Sequence, residues 1–345
     1  MDVSLFDYEL PRELIAQEPA EPRDASRLLV LDRARRAWED RAFVELPELL
    51  RPGDCLVANR SRVIPARLLG VTEAAGQPVE LLLLRPVEAD RWEALVRPGR
   101  RCRVGARLVL AGGAAGATVV GEGGAGARVV AIEAPWPVRA LLERHGLPPL
   151  PPYIDRHDSP KPEDRDRYQT VYARDDGSVA APTAGLHFTP ALLARLEARG
   201  VAVHYLTLHV GPGTFRPLRT EQVEAHHMDG EPIDIPADTT RAIHEARREG
   251  RRVVAVGTTT TRALEWAATA DGRLREGPGE ADLYIRPGHR FRIVDALITN
   301  FHLPRSTLLV LVSAFAGREV VLDAYRHAVA NRYRFYSYGD AMLIG

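Results

Sequence analysis

The chain has 345 residues, 45% hydrophobic and 27% charged, a globular composition too long for one ordinary domain and suited to two. Its 46 basic and 46 acidic side chains cancel, so no whole-protein basic field exists and nucleic acid must be met by a local patch. Lys161 is the sole lysine, which excludes a P-loop and leaves a poor Schiff-base site in the polar stretch 158–166, while Cys55 and Cys102 are too few for a disulfide framework or a four-cysteine zinc site.

The start, Met1-Asp2-Val3-Ser4, has neither a basic opening nor an apolar run, so no signal peptide and a cytoplasmic protein are expected. A short helix is predicted over 11–16, a strand over 28–31, a second helix over 47–50 and a strand over 55–58. From 66 to 134 the period changes. Short apolar runs at 68–71, 79–84, 92–96, 108–110, 118–120 and 129–132 are separated by Gly, Pro and charged clusters, with a Gly/Ala-rich stretch over 111–127. This reads as a small all-β unit, barrel-like. Prolines over 148–152 mark a stiff connection. Thr189 then caps a helix that has Pro190 at its first position and Gly200 after its end. A strand over 201–210 follows, then a helix over 238–249, a strand over 253–256, a tight Gly257 and a helix through 262–270. Next come a strand over 297–301, a helix capped by Ser306 or Thr307 and running to 316, and a last helix over 320–330. The longest apolar run, 308–316, is too short to span a bilayer, so no membrane association is expected. The predicted fold is α/β: a discontinuous domain, 1–65 and 135–345, with a largely parallel or mixed sheet, interrupted by a β-barrel-like domain at 66–134.

Five places could carry chemistry. The loop from Ala181 through Thr183, Gly185 and His187 opens a helix, and helix N-termini hold anions. A loop histidine that merely caps explains His187 as well, and the residues alone favour it. His209-Val210-Gly211-Pro212-Gly213-Thr214 ends a strand. Its glycines allow a close backbone approach, and ligands of α/β sheets sit beyond strand carboxyl ends. His226-His227-Met228-Asp229-Gly230-Glu231 gathers ionisable groups in a spacing that matches no zinc pattern. An acid/base or hydrogen-bonding role is preferred there to a metal or a solvated loop. Gly257-Thr258-Thr259-Thr260-Thr261-Arg262 is a strand, a turn and a hydroxyl-rich helix start, suited to a carboxylate or phosphate, though capping alone also explains threonines. Finally, arginines cluster at 97, 100, 101 and 103; at 247, 248, 251 and 252; and at 286, 290 and 292. Guanidinium forks match phosphates, but charge runs are usually solvated faces.

Together and in order, these segments resemble one family, the S-adenosylmethionine:tRNA ribosyltransferase-isomerases of queuosine biosynthesis. The resemblance is carried by Arg62-Val63-Ile64-Pro65-Ala66-Arg67-Leu68, Pro149-Leu150-Pro151-Pro152-Tyr153-Ile154, Tyr168-Gln169-Thr170-Val171-Tyr172-Ala173 and the loops just described. Thr299-Asn300-Phe301-His302-Leu303-Pro304, Ser313-Ala314-Phe315-Ala316-Gly317 and the segment 333–342 complete it. It implies transfer and isomerisation of the ribosyl part of S-adenosylmethionine onto 7-aminomethyl-7-deazaguanine at the tRNA wobble position. Epoxyqueuosine forms, and adenine and methionine are released. The resemblance implies no metal and no cofactor beyond S-adenosylmethionine as substrate, and a monomer is expected. Catalytic candidates are His187, His209, His226, Asp229 and Glu231. Substrate-binding candidates are Arg62, Arg67, Thr183, Gly185, Gly211, Gly213, Thr214, Gly257, Thr258, Thr259, Arg262, Asn300 and His302. For tRNA they are Arg97, Arg100, Arg101, Arg103, Arg290 and Arg292. The sulfonium acidifies the donor's C5′ protons, so a base that is neutral near pH 7 is required. Histidine suits, either His209 or His187, with His226 and Glu231 as a third option. Asp229 could protonate departing adenine only if burial raised its pKa.

Three positions depart from the family pattern. Asn59-Arg60-Ser61-Arg62 replaces an Asn-Asp-Thr-Arg or Asn-Asn-Thr-Arg, Asp229 stands where a histidine is usual, and His289 where an aromatic is common. They keep two alternatives open: a paralogous S-adenosylmethionine-dependent transferase acting on another nucleoside, or a catalytically inactive tRNA-binding protein.

Overall fold

The computed structural model describes residues 1–156, 161–211, 213, 218 and 220–345. In chain order the strands are β1 (Arg27–Asp32), β2 (Ala37–Ala42), β3 (Cys55–Asn59), β4 (Ser61–Val63), β5 (Arg67–Thr72), β6 (Pro78–Pro86), β7 (Arg91–Arg97), β8 (Arg107–Leu110), β9 (Ala115–Glu122), β10 (Arg128–Glu133), β11 (Asp175–Ser178), β12 (Ala202–Leu208), β13 (Glu231–Ile235), β14 (Val253–Val256), β15 (Gly277–Ala281), β16 (Ala296–Asn300) and β17 (Ala341–Ile344). The helices are α1 (Leu46–Leu49), α2 (Val138–His145), α3 (Asp164–Arg167), α4 (Pro190–Ala198), α5 (Ala237–Arg248), α6 (Thr258–Ala267), α7 (Thr307–Ala316) and α8 (Arg318–Ala330).

Among the described residues, nine strands form one mixed sheet in the order β15-β13-β12-β3-β14-β16-β17-β1-β2. Its centre, β12-β3-β14-β16, is parallel throughout. The edges are antiparallel: β13 and β15 on one side, β1 and β2 on the other. The period-two rule sorts the core. Cys55, Val57, Val253 and Ala255 point to the face covered by α5, α6, α7 and α8. Leu56, Ala58, Val254 and Val256 point to the face covered by α1 and α4. Both faces are dry, so every residue of β3, β14 and β16 is buried, as parallel strands between helices require.

Strands β5 to β10 close into a barrel. Alternation sets its core: Val79, Leu81 and Leu83 of β6 point inward with Trp92, Val119 and Val130. Closure removes the sheet edges that would otherwise invite aggregation. The α/β class interrupted by an all-β barrel is therefore the observed architecture, with the sheet mixed rather than parallel. Local details differ. The helix expected over 11–16 is a single 3₁₀ turn, Arg12–Leu14, because the backbone at Leu14 and Ala16 is drawn into hydrogen bonds with Phe335. Among the described residues no helix is long and apolar enough to cross a membrane.

Candidate active site

A cleft of about 590 Å³ opens beyond the carboxyl ends of β14 and β16, where open α/β sheets place ligands. Two helix starts converge on it. After β14 the chain turns through Gly257, whose φ of +91° suits a residue without Cβ, and α6 begins at once. The four threonines then divide. Thr260 and Thr261 donate to the carbonyls of Val256 (2.7 Å) and Gly257 (3.1 Å), whereas Thr258 and Thr259 line the cleft. The N-cap is Gly257 and no threonine side chain caps the helix, so capping explains none of the four. The second start is α7, where Ser306 accepts from the Leu309 amide at 3.2 Å and lines the cleft from the other side. Both termini present unpaired amides and the positive end of a helix dipole.

One wall is aromatic. Tyr153 and Tyr336 stack at 4.4 Å with an interplanar angle of 19°, and the Tyr153 hydroxyl bonds Ser337 Oγ at 2.6 Å. Composition and spacing did not single out these tyrosines. They lie in irregular segments, and only their membership of two of the resembling blocks marked them. The floor is Asn300 at the end of β16. Its Oδ1 accepts from Thr183 Oγ1 at 3.1 Å, and its Nδ2 donates to the Tyr336 carbonyl at 3.1 Å. That carbonyl fixes which end of the amide is nitrogen. The same Nδ2 lies 3.1 Å from His187 Nε2, which therefore accepts, so His187 Nδ1 carries the proton and donates to Ser26 Oγ at 2.7 Å.

The histidines thus separate. His187 is buried beside Phe43 and holds both ring nitrogens inside the protein. Burial pushes its pKa down to about 4. It fixes Asn300 and has both ring nitrogens engaged, which leaves no nitrogen free to act as a base. His209 lies off the cleft surface, although Val210 is on it. His209 Nδ1 bonds Ser61 Oγ at 2.9 Å, and Gly177 lies so close that a Cβ there would be 2.9 Å from the ring. Its Nε2 has no hydrogen-bond partner among the described residues. His302 does line the cleft. Its Nε2 pairs with Thr299 Oγ1 at 2.7 Å, and burial holds it down to about 3.

Beside the cleft, Glu231 at the start of β13 forms a buried ion pair with Arg262 of α6 and accepts from the Gly211 amide at 2.7 Å. A Cβ on Gly213 would be 3.1 Å from Asp229 Oδ2 and one on Gly211 3.5 Å from Glu231 Oε1, so both glycines neighbour the acidic segment. Asp229 itself is exposed, so the burial needed for it to act as an acid is absent. His226 packs edge-on against Tyr284 at 5.3 Å. Gly185 is needed for packing: a Cβ there would be 2.1 Å from the Tyr172 hydroxyl. Two arginines expected at the substrate are engaged elsewhere, Arg62 with Asp176 at 3.1 Å and Arg67 with Glu80 in the barrel wall at 2.9 Å. Thr214 lies outside the described residues. Among those residues no group of three or more His, Cys, Asp or Glu could hold a metal.

The arginine clusters also divide. Arg97, Arg100 and Arg103 are exposed at one rim of the barrel, with Arg101 donating to the Pro78 carbonyl at 2.9 Å. These four have no acidic partner among the described residues, and neither do the exposed Arg290 and Arg292. The 247–252 cluster sits at the opposite end of the sheet from the cleft. There Arg252 pairs with Asp54 at 2.5 Å, and Arg251 with Glu249 at 2.8 Å. Replacing Arg100 and Arg101 by glutamate is expected to weaken tRNA binding. It should also flatten the slope of log affinity against log salt by about 0.9 for each phosphate no longer neutralised. Titration at several salt concentrations checks this, and an unchanged slope in these variants and in Arg290→Glu/Arg292→Glu would discard the patch.

The family model described as queuosine biosynthesis protein matches residues 3–344. The chain is similar to the S-adenosylmethionine:tRNA ribosyltransferase-isomerases of Symbiobacterium thermophilum, 56% identical over 344 residues, and of Moorella thermoacetica, 56% identical over 347. Both matches cover 100% of each chain. A crystal structure of S-adenosylmethionine tRNA ribosyltransferase from Thermotoga maritima is similar at 42% identity and a TM-score of 0.57, covering 99% of this chain and 100% of that one.

Proposed function

The chain belongs to the queuosine biosynthesis protein family, and from that premise we propose that it is a transferase joining two substrates, S-adenosylmethionine and tRNA. It moves the ribosyl part of the donor to the aminomethyl nitrogen of 7-aminomethyl-7-deazaguanine at the wobble position and isomerises it to the epoxycyclopentane of epoxyqueuosine. Adenine and methionine leave. The full-length match carries this reading, and a cleft with two helix starts, a stacked tyrosine wall and a fixed amide at the strand ends supports it.

The chemistry assigns work to this chain's own groups. The tyrosine pair offers a flat apolar surface for a nucleobase. Asn300, locked by Thr183, His187 and Tyr336, supplies fixed polarity at the floor. A base must take a C5′ proton next to the sulfonium. Of the two loop histidines, His209 alone keeps a ring nitrogen without a partner among the described residues, and we assign it that role. The barrel arginines would meet tRNA phosphates. The chain acts in this reading as a cytoplasmic monomer with no metal and no further cofactor.

Incubation with S-adenosylmethionine and tRNA bearing the deazaguanine, in the presence of a chelator, is expected to give epoxyqueuosine by mass spectrometry of the tRNA and one adenine per product. S-adenosylhomocysteine in place of adenine would show a methyltransferase instead. Tight tRNA binding with neither product would leave a binding protein. A need for added metal would remove the cofactor-free reading alone.

A further inference from the structure

The parallel ladder between β12 and β3 runs out at Leu206 and Asn59, where the chain leaves β3 for β4. β12 continues to Leu208, and His209 and Val210 lie beyond its end. Side chains take over from the ladder there. Asn59 is fully buried. Its Oδ1 accepts from the Leu208 amide at 3.0 Å and its Nδ2 donates to the Leu208 carbonyl at 2.8 Å, so the side-chain amide stands in for the missing strand residue. The same Oδ1 accepts from the Ser61 amide at 3.0 Å. Ser178 is fully buried too. Its hydroxyl accepts from the Val210 amide at 2.7 Å and donates to the Ala180 carbonyl at 2.9 Å, and the Val179 amide donates to the Val210 carbonyl at 3.1 Å. Between these two residues the His209 amide donates to the Pro232 carbonyl at 2.9 Å.

Buried backbone groups need partners in any fold, which by itself would explain each of these bonds. It does not explain their convergence on one residue. The neighbours of His209 on both sides are fixed by side chains from two different strands, Asn59 at the end of β3 and Ser178 at the end of β11. The ring is fixed by residues adjoining those two. Ser61, two positions after Asn59, meets Nδ1 at 2.9 Å. Gly177, just before Ser178, has a φ of +148°, and a Cβ there would be 2.9 Å from the ring. For Nε2 to take up a proton, Nδ1 must already carry one, so Ser61 Oγ accepts from it. Backbone and imidazole are thus held in one frame, and Nε2 is the ring atom that the frame leaves open.

We propose that Asn59 and Ser178 are positioning residues for the transfer reaction, holding His209 Nε2 in place through the backbone of Leu208 and Val210. The inference rests on the transferase reading above and on His209 as its base. Neither side chain lines the cleft, so neither meets a substrate there, and each acts through His209. Proton abstraction from carbon is sensitive to distance, and a misplacement of about 1 Å can cost on the order of a hundredfold in rate.

The test uses two variants of the full chain. Ser178→Ala removes one hydroxyl, and Asn59→Asp keeps Oδ1 while setting an oxygen against the Leu208 carbonyl. Each is measured for kcat and KM of epoxyqueuosine formation, alone and combined with His209→Ala. Nitrogen NMR of the histidine-labelled chain follows the His209 ring, whose signals are assigned by their loss in His209→Ala. Both variants should lower kcat about tenfold, a fraction of the cost of a full displacement, with KM for donor and tRNA within about twofold of the wild type. The His209 ring signals should shift, and neither substitution should slow His209→Ala any further. If Asn59→Asp does not fold, Ser178→Ala decides. Wild-type kcat or unshifted ring signals in Ser178→Ala, or an equal loss of rate in the His209→Ala background, would each overturn the proposal. Failure of the underlying reading looks different: His209→Ala keeps full turnover, or the wild type forms no epoxyqueuosine, while the ring signals still shift in Ser178→Ala, and the proposed role falls with that reading.

Discussion

Replacing His209 with alanine is expected to lower turnover at least about a hundredfold, the low end of what a positioned general base contributes, with tRNA affinity unchanged. One nitrogen carries the expectation. Ser61 holds Nδ1 at 2.9 Å and Gly177 packs against the ring, so its orientation is set. Nε2 is left to act, and Val210, the next residue, is on the cleft wall. Burial lowers the His209 pKa below its ordinary value. Asp175 and Asp176 act the other way, and Arg139 adds to the lowering. A lowered pKa means the basic form is already dominant at neutral pH, so the acid limb of the rate profile should fall below about 6.5, the ordinary histidine value. Donor deuterated at both C5′ positions should lose one deuteron on the way to product. His187→Ala should behave otherwise, because that ring lies behind Asn300. Its loss should disorder the floor and reduce stability along with rate. Full turnover by His209→Ala, or retention of both deuterons, would clear His209 of the role.

The sheet and barrel were legible because their patterns are physical necessities. A strand buried on both faces must read as a continuous apolar run, and Val253-Val254-Ala255-Val256 does. A barrel strand must alternate, as Val79, Leu81 and Leu83 do. Elements that escaped notice lack such patterns. β2 is an exposed edge, Ala37-Trp38-Glu39-Asp40-Arg41-Ala42, with few apolar residues to mark it. β13 contains Pro232, which weakens any strand reading, and Gly230 before it favoured a loop, yet Glu231 is where the strand begins. The helix placed through 262–270 starts four residues earlier. Threonines are poor helix formers, but here their hydroxyls bond back to the preceding turn.

The site was legible as a set of segments but not as a geometry. The loops at 181–187 and 257–262 and the segment 299–302 do meet at the cleft, because all follow or adjoin strand ends on the same side of the sheet. Which histidine faces that space is a matter of side-chain direction, and local sequence carries none of it. His187 and His302 stand in equally suggestive segments. One is sealed beneath Asn300 and the other lines the cleft. Arginine clusters posed the same difficulty. Arg251 and Arg252 look as available as Arg100 and Arg101, and only the fold sets Asp54 beside Arg252 and turns Arg251 onto Glu249 and the Gly53 carbonyl.

Stability should fall markedly as pH drops from about 7 to about 5, with uptake of roughly two protons on unfolding from two buried histidines. His187 is held at about 4 and His302 at about 3, both by burial. In the unfolded chain each titrates near 6.5. Below that value the unfolded state binds protons that the native state refuses, so unfolding gains free energy as pH falls. The loss continues until pH reaches the folded values. By pH 5 each histidine should have cost about 2 kcal/mol, at about 1.4 kcal/mol per unit of difference. His204, His209 and His226 are also lowered, mainly by burial, and act in the same direction. Glu265 is the buried acid most exposed to a rival explanation. Burial alone would raise its pKa, but His289 and the amides of Arg292, Val294 and Ile293 outweigh that and lower it, so its stabilisation is lost only below about 4.5, outside this window. Denaturant unfolding at the two pH values measures the change, and the variant His187→Asn/His302→Asn isolates its source. That variant is expected to be less stable at pH 7 yet to lose much less on acidification. Equal stability of the wild type at both pH values, or an undiminished pH dependence in the variant, would show that these two imidazoles are not what acid attacks first.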